Sequence, residues 1–332
     1  MKHKYFKETT LKKHTAFCAA ISLAIAALAA SAAFAQAYPA KQVRVIIPFP
    51  PGGTLDTVGR LLAQKLGDQT GQTFVVENRP GGNGTIGADA VAKAQADGYT
   101  LLFNASTFTT STLALKTPPY DTVKDFVPIA LVAKAPLAVA IDKNLPATDM
   151  KSFLAYAKAN AGKLSFAVGS TASAGHLATE QLRRAAGLEL LIVPYKGSTP
   201  AYQDLLGGRI TGFIDPILGS AGYAKAGQLR VIGVTSAKRV PSMPDIPAVG
   251  ETVSGYEAYS WYGLWAPAKT SGEIIARLNA ETNKALAGDM KDRLIGNGLI
   301  IEAGSPDDFA KFQRDDTARS MQAIKDGGIK FE

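Results

Sequence analysis

The sequence predicts an α/β protein of two lobes around a central cleft, and three observations carry that prediction. Apolar β-branched runs alternate with helical periodicity along most of the chain, a long apolar run sits where one βα series gives way to another, and the chain ends in helices. Residues 43–47 read as a strand, and 55–66 as a helix with Leu55, Val58, Leu61, Leu62 and Leu66 on one face. Strands at 74–76 and 100–103 flank a helix at 86–94. The run "VPIALVAKAPLAVAI" at 127–141, interrupted by Pro136, is long enough to leave one lobe and enter the next. The second series places helices at 149–160, 176–186 and 200–206, and strands at 164–168, 190–193, 211–214 and 229–234. A proline-rich connection at 241–249 leads to "YSWYGLWAPA", read as a second crossing strand, and helices at 273–286, 290–297 and 306–325 follow. Residues 36–138 with 256–332 are therefore expected to form one lobe and 139–255 the other.

The first 35 residues look like an export signal. Lys2, Lys4, Lys7, Lys12 and Lys13 precede an apolar stretch over 16–30, and Ala33-Phe34-Ala35 supplies a small-residue cleavage site. The apolar part is shorter than the roughly 20 residues that span a bilayer. Cys18 lies inside it, away from a lipoprotein position, and the expected location is the periplasm. Taking 35 from 332 residues leaves 297, and the net charge falls from +8 to +4 because the leader holds five Lys and one Glu. No dense Lys/Arg block marks a nucleic-acid surface. The exported part has no cysteine and one histidine, His176. This excludes His/Cys zinc sites, thiol nucleophiles and, unless His176 serves, Ser-His-Asp catalysis.

Ligands of open parallel sheets sit beyond the carboxyl ends of the strands, and "PFPPGGTLD" is such an end. Its prolines hold extended backbone, Gly52 and Gly53 permit a sharp turn, and Thr54 or Asp56 can cap the next helix. The free N–H groups there suit an anion; an ordinary βα turn accounts for the same residues equally well. "ENRPGGNGTIGADA" contains the Gly82, Gly84, Gly87 spacing of a dinucleotide loop. It lacks the acidic partner about 20 residues on, so it reads as a second glycine-rich loop supporting the first, and no cofactor is expected. "SFAVGSTASAGHLATE" repeats the pattern in the second lobe, where Ser170, Thr171 and Ser173 offer hydroxyls as a neutral grip for a carboxylate. His176, in the first turn of the next helix, reads as a structural hydrogen-bonder. "VPYKGSTPAYQDLL" is a third junction, capped by Ser198 or Thr199. Asp215 ends a buried strand, as a turn cap or as part of the cleft wall. Trp261, Tyr262 and Trp265 read as packing residues.

Six ordered stretches together resemble the Bug-type extracytoplasmic solute-binding proteins, receptors of tripartite tricarboxylate transporters. They are "YPAKQVRVIIPFPPGGTLD", "VVENRPGGNGTIGADAVAKAQADGYTLLF", "PYDTVKDFVPIALVA", "VPYKGSTPAYQDLLGGRI", "LRVIGVTSAKRVPSMPDIPAVGE" and "GYEAYSWYGLWAPAKT". The resemblance implies a type II periplasmic-binding-protein-like fold, with two mixed sheets flanked by helices around a ligand cleft. It also implies a non-catalytic receptor that delivers a small organic carboxylate to membrane permease subunits; a monomer is the default for a receptor, and no metal is expected. Carried over, one carboxylate of the ligand would be held by the loop from Phe49 through Pro51, Gly52 and Gly53 to Asp56 and by the loop Ser170, Thr171, Ala172, Ser173. Ser106, Thr107 and Asp215 would line the rest. The sequence departs from the family at Ser170-Thr171-Ala172-Ser173, where Gly-x-Gly-Ser is usual, so the grip there requires Ala172 to adopt a glycine-like backbone. Two alternatives stand beside this reading: the same fold serving a membrane sensor kinase, and a secreted hydrolase or isomerase using Asp56, Asp215 or His176.

Overall fold

The computed structural model describes residues 38–327, so the export-signal reading of residues 1–35 lies outside the described residues. From Lys41 onward the chain builds two sheets that share one strand. In the first sheet β1 (Val43–Ile47), β2 (Phe74–Asn78) and β3 (Thr100–Ala105) run parallel in the order β2-β1-β3. Antiparallel to β3 lies β9 (Tyr259–Pro267), then β4 (Phe126–Asp142), with the short β10 (Ile300–Ile301) paired to β4. The second sheet repeats the plan. Here β5 (Leu164–Val168), β6 (Leu190–Pro194) and β7 (Gly212–Pro216) run parallel in the order β6-β5-β7, followed by antiparallel β4 and β8 (Leu229–Val234). Each sheet thus holds three parallel strands and one stretch of β4, which links the lobes, with β9 and β10 completing the first sheet and β8 the second. Parallel strands are covered on both faces, which is why their sequences read as unbroken apolar runs.

β4 makes the crossing, and Pro136 marks the place. Residues from Phe126 to Pro136 pair with β9 in the first sheet, and Leu137 onward pairs with β7 in the second. Proline donates no ladder hydrogen bond, so it fits where a strand changes partners. The next N–H, on Leu137, goes to the Thr235 hydroxyl at 2.8 Å instead. Contrary to the expectation of a second crossing strand, β9 pairs only in the first sheet. The chain returns just before it, where the Ala258 N–H donates to the Thr235 carbonyl at 2.9 Å.

Helices α1 (Thr54–Thr70), α2 (Thr85–Ala92) and α3 (Thr107–Leu113) follow the first three strands. α4 (Met150–Ala159) leads into the second series, in which α5 (Ala174–Ala185), α6 (Ser198–Leu206) and α7 (Ile217–Lys225) follow β5, β6 and β7. α8 (Gly272–Ala287), α9 (Asp289–Gly296) and α10 (Pro306–Gly327) close the fold. The expected periodicity of α1 is met, with Leu55, Val58, Leu61, Leu62 and Leu66 all buried. α4 starts at a reciprocal cap between Asp149 and Ser152. α3 and α7 were not expected. "TFTTSTL" is rich in residues with poor helix propensity, and "ILGSAGYAK" holds two glycines. Burial of Thr107 through Ser111, with the Thr109 and Thr110 hydroxyls on the Ser106 carbonyl, outweighs propensity in α3.

The first lobe packs around Phe108, Trp261, Trp265 and Phe309, with ring centroids 4.6–5.9 Å apart between Trp265 and Phe108, Trp265 and Phe309, and Trp261 and Phe309. The two indole N–H groups reach Asp316 and Gln313 on α10 at 2.7 and 2.9 Å. Both tryptophans are therefore core residues, as the sequence suggests.

Candidate functional site

Three helix N-termini meet between the lobes. α1, α5 and α6 each start at the carboxyl end of a parallel strand, and their first-turn residues, whose N–H groups have no partner within the helix, line the same space. The space is a cavity of about 80 Å³, lined by Gly53 to Asp56 of α1, Ser173 to Gly175 of α5, Gly197 and Ser198 of α6, and Pro216 before α7. No side chain caps α1 at Gly53 or α6 at Gly197, which leaves their first amides uncommitted. Among the described residues lining the cavity there is no Lys, Arg or His. An anion held there would be met by backbone dipoles rather than by a cationic side chain.

Asp56 braces the first loop. Its carboxylate accepts from the Gly52 N–H at 3.1 Å, Asn78 Nδ2 at 2.9 Å and Arg60 Nε at 2.9 Å, and Asn78 Nδ2 also donates to the Phe49 carbonyl at 3.0 Å. Burial pushes Asp56 upward, but the bonds from Arg60, Asn78 and Gly52 together hold it below its ordinary value. It is an ionised, paired strut. The second glycine-rich loop backs this one: a β-carbon at Gly87 would stand 2.8 Å from Pro48, and one at Gly84 would stand 3.0 Å from the Phe49 ring.

The second loop is braced without charge. Ala172 takes φ +60°, a left-handed conformation, and its N–H donates to His176 Nδ1 at 3.1 Å while its carbonyl accepts the Thr110 hydroxyl at 2.7 Å. Ser173 caps α5, accepting from the His176 N–H at 3.2 Å. Burial holds the imidazole below its ordinary value against the opposing pull of Glu180. An acceptor Nδ1 places the single ring proton on Nε2. His176 props the loop, as the sequence suggests, and Ala172 does adopt the backbone that the family supplies with glycine.

The lobes touch across the cavity. The Thr199 hydroxyl donates to the Pro51 carbonyl at 3.1 Å, alongside the Thr110–Ala172 bond. Gly197, at φ +111°, lies so close to the first lobe that a β-carbon there would stand 3.0 Å from Pro50 Cδ. These contacts tie the two lobes together at the edge of the cavity.

The predicted residues divide accordingly. Phe49, Gly53, Asp56, Thr107, Ser170, Ser173 and Asp215 line the cavity. Pro51 and Gly52 form its lip, turned toward Thr199 and Asp56. Ser106 lines an adjoining cleft, Thr171 does not reach the cavity, and Ala172 is buried beneath it. Residues read otherwise from sequence join the wall, notably Ser260 and Tyr262 of β9. Strand alternation is the signal that could have found them: Ser260 and Tyr262 share one face while Trp261 lies on the other. Three buried polar atoms in this wall, Thr54 Oγ1, Asp215 Oδ2 and the Tyr262 hydroxyl, make no hydrogen bond of good geometry, although Tyr262 lies beside Thr54 and Ser260, and Asp215 beside Tyr202. Buried polar atoms are rarely left so unless something else satisfies them.

A two-lobed α/β fold with a cleft rimmed by helix N-termini is that of the periplasmic binding proteins. More narrowly, the chain belongs to the family described as tripartite tricarboxylate transporter family receptors, whose model matches residues 58–329. The protein BugT of Bordetella pertussis is 34% identical over 318 residues, covering 94% of this chain and 97% of BugT. Among solved structures, Rpa4515 of R. palustris with adipate is 36% identical with a TM-score of 0.86, covering 88% of this chain and 99% of that one. MatC (Rpa3494) of Rhodopseudomonas palustris with bound malate is 29% identical with a TM-score of 0.81, covering 86% and 100%. The resemblance carried by the six stretches of sequence is thus one of family membership. Among the described residues, no helix is long and apolar enough to cross a membrane.

Proposed function

We propose that this chain is an exported periplasmic receptor that closes its lobes over a small carboxylate and presents the closed form to membrane permease subunits. In this reading residues 1–35 are removed on export, 36–138 with 256–332 form one lobe, and 139–255 form the other. The observation that carries the proposal is the convergence of three helix N-termini, with no cationic side chain among the described residues, on a cavity that Ser170, Ser173 and Ser198 also line. Amides of α1 and hydroxyls of Ser170 and Ser173 face one another there, a neutral grip for one carboxylate. Each hydrogen bond to a charged group contributes roughly 1.5–3 kcal/mol net, and each helix N-terminus about 0.3–1 kcal/mol. Four bonds and two termini sum to roughly 6.6–14 kcal/mol, a range that includes the ~8 kcal/mol of micromolar binding before the cost of closing the lobes is subtracted. Neighbours solved with adipate and malate support the ligand class.

The test is a thermal-shift screen. The protein, expressed with its own leader, recovered from the periplasm and refolded to remove carried-over ligand, is heated with adipate, malate and other small carboxylates and with their amides. A melting temperature raised by an acid and unchanged by its amide is expected. If no acid raises it, the reading fails.

A further inference from the structure

Asp215 stands out within the cavity wall. It ends β7 with 6% of its surface exposed, it lines the cavity, and no cation accompanies it. Oδ1 accepts the Ser198 hydroxyl at 2.8 Å, and Oδ2 is buried beside the Tyr202 hydroxyl with no charged partner. The contrast with Asp56 is direct: that carboxylate, in the same wall, has Arg60, Asn78 and the Gly52 amide. A buried carboxylate met only by neutral hydroxyls, with no counter-charge, is stabilised by taking up a proton or by a ligand cation.

We infer that Asp215 decides what the part of the ligand facing it can carry: a hydroxyl or ammonium donor is admitted directly, and a second carboxylate enters only together with a proton on Asp215. The inference rests on the carboxylate reading above and names the ligand's other end. Two carboxylates in one dry site cannot both stay ionised, so a dianion takes up one proton from solvent as it binds.

The surroundings isolate Asp215 as the titrating group. Burial pushes it up to about 7, against the lowering effect of the Ser198 and Tyr202 hydroxyls. From α6 it is faced by Tyr202, and from β9 by Tyr262, both held well above the ordinary tyrosine value by burial. α7 adds Tyr223, packed on the Tyr202 ring at 5.3 Å, and β4 places Ala138 opposite. β5 carries no titratable side chain. α5 brings His176, held below its ordinary value, and α1 brings the ionised Asp56 with Arg60. Asp215 is thus raised to about 7, while Asp56 and His176 are held below their ordinary values and Tyr202 and Tyr262 above theirs.

The experiment measures Kd by calorimetry on the refolded protein, with succinate, glutarate and adipate as diacid probes and 4-aminobutyrate as the donor-bearing probe. Diacid affinity is expected to fall about tenfold per pH unit above Asp215's value of about 7. That of 4-aminobutyrate should hold or rise over the same range. Asp215→Asn should flatten the diacid profile and weaken 4-aminobutyrate at least ~10-fold. Should the variant not fold, heats measured in two buffers of different ionisation enthalpy report the proton count on the unaltered protein, with about one taken up per diacid expected. Diacid binding that is independent of pH, or that takes up no proton, overturns the inference while leaving the carboxylate reading intact. Failure of every probe at every pH overturns both.

Discussion

Across the cleft, the loop from Pro48 to Asp56 is braced by an ion pair, whereas the loop from Gly169 to Ser173 is braced by a neutral imidazole. The first has its left-handed residue at Gly52, φ +91°, with the N–H taken by the ionised Asp56; the second has it at Ala172, φ +60°, with the N–H taken by His176 Nδ1. Both devices do the same thing: they occupy the loop's own donors and leave the helix amides beyond it facing the cavity. The difference shows that the charge of the brace is immaterial provided it is cancelled locally. Asp56 is admissible beside an anion seat because Arg60 neutralises it, 2.9 Å away. Asp215 has no such partner, and for that reason it is the residue whose state a ligand would change.

The comparison can be broken most forcefully at Gly175, which presses α5 against β7. A β-carbon there would stand 2.2 Å from the Ile214 carbonyl oxygen, a backbone atom that cannot step aside. Gly175→Ala is expected to cost about 3 kcal/mol or more in denaturant unfolding, and a loss below about 1 kcal/mol would mean that the second loop is not held by close helix–strand contact. Asp56→Ala should cost about 2–3 kcal/mol, because it strands the Gly52 N–H and Asn78 Nδ2 as well as breaking the pair with the half-exposed Arg60. Asp56 sits below its ordinary value in the folded protein, so its contribution is complete above that value and disappears as pH falls through the lowered one. The gap between Asp56→Ala and the unaltered protein should therefore close in acid, and unfolding curves at neutral and at low pH read that directly. The smallest effect is expected at Ala172→Gly. Relief of left-handed strain, about 1 kcal/mol, opposes the loss of a buried methyl, ~0.8 kcal/mol, and the greater unfolded-state freedom of glycine. A change beyond about 1 kcal/mol in either direction would show that the Ala172 backbone is held by something other than His176 and Thr110.

Much of this was legible along the chain. The strands at 43–47 and 164–168 and the crossing run around Pro136 stand out because parallel strands must be apolar on both faces, and a strand that changes sheets needs a break in its ladder. α3 stayed hidden because its threonines favour other local structures, and only the burial of that segment makes it helical. β9 shows the limit at the site. Its aromatic run was read as packing throughout, which holds for Trp261 and Trp265 and misses Tyr262, which lines the cavity.

The sequence by itself determined the alternation of β and α segments, the glycine-rich turns at strand ends and the family, because these depend on periodicity, backbone freedom and order along one chain. The tertiary structure alone decided which of those turns face one another, that Thr110 and Thr199 tie the lobes together, and that Asp56 has a cation beside it while Asp215 does not. Each of these is a relation between segments far apart in sequence. The ionisation of a buried carboxylate depends on what surrounds it in space, and no local pattern of residues records that.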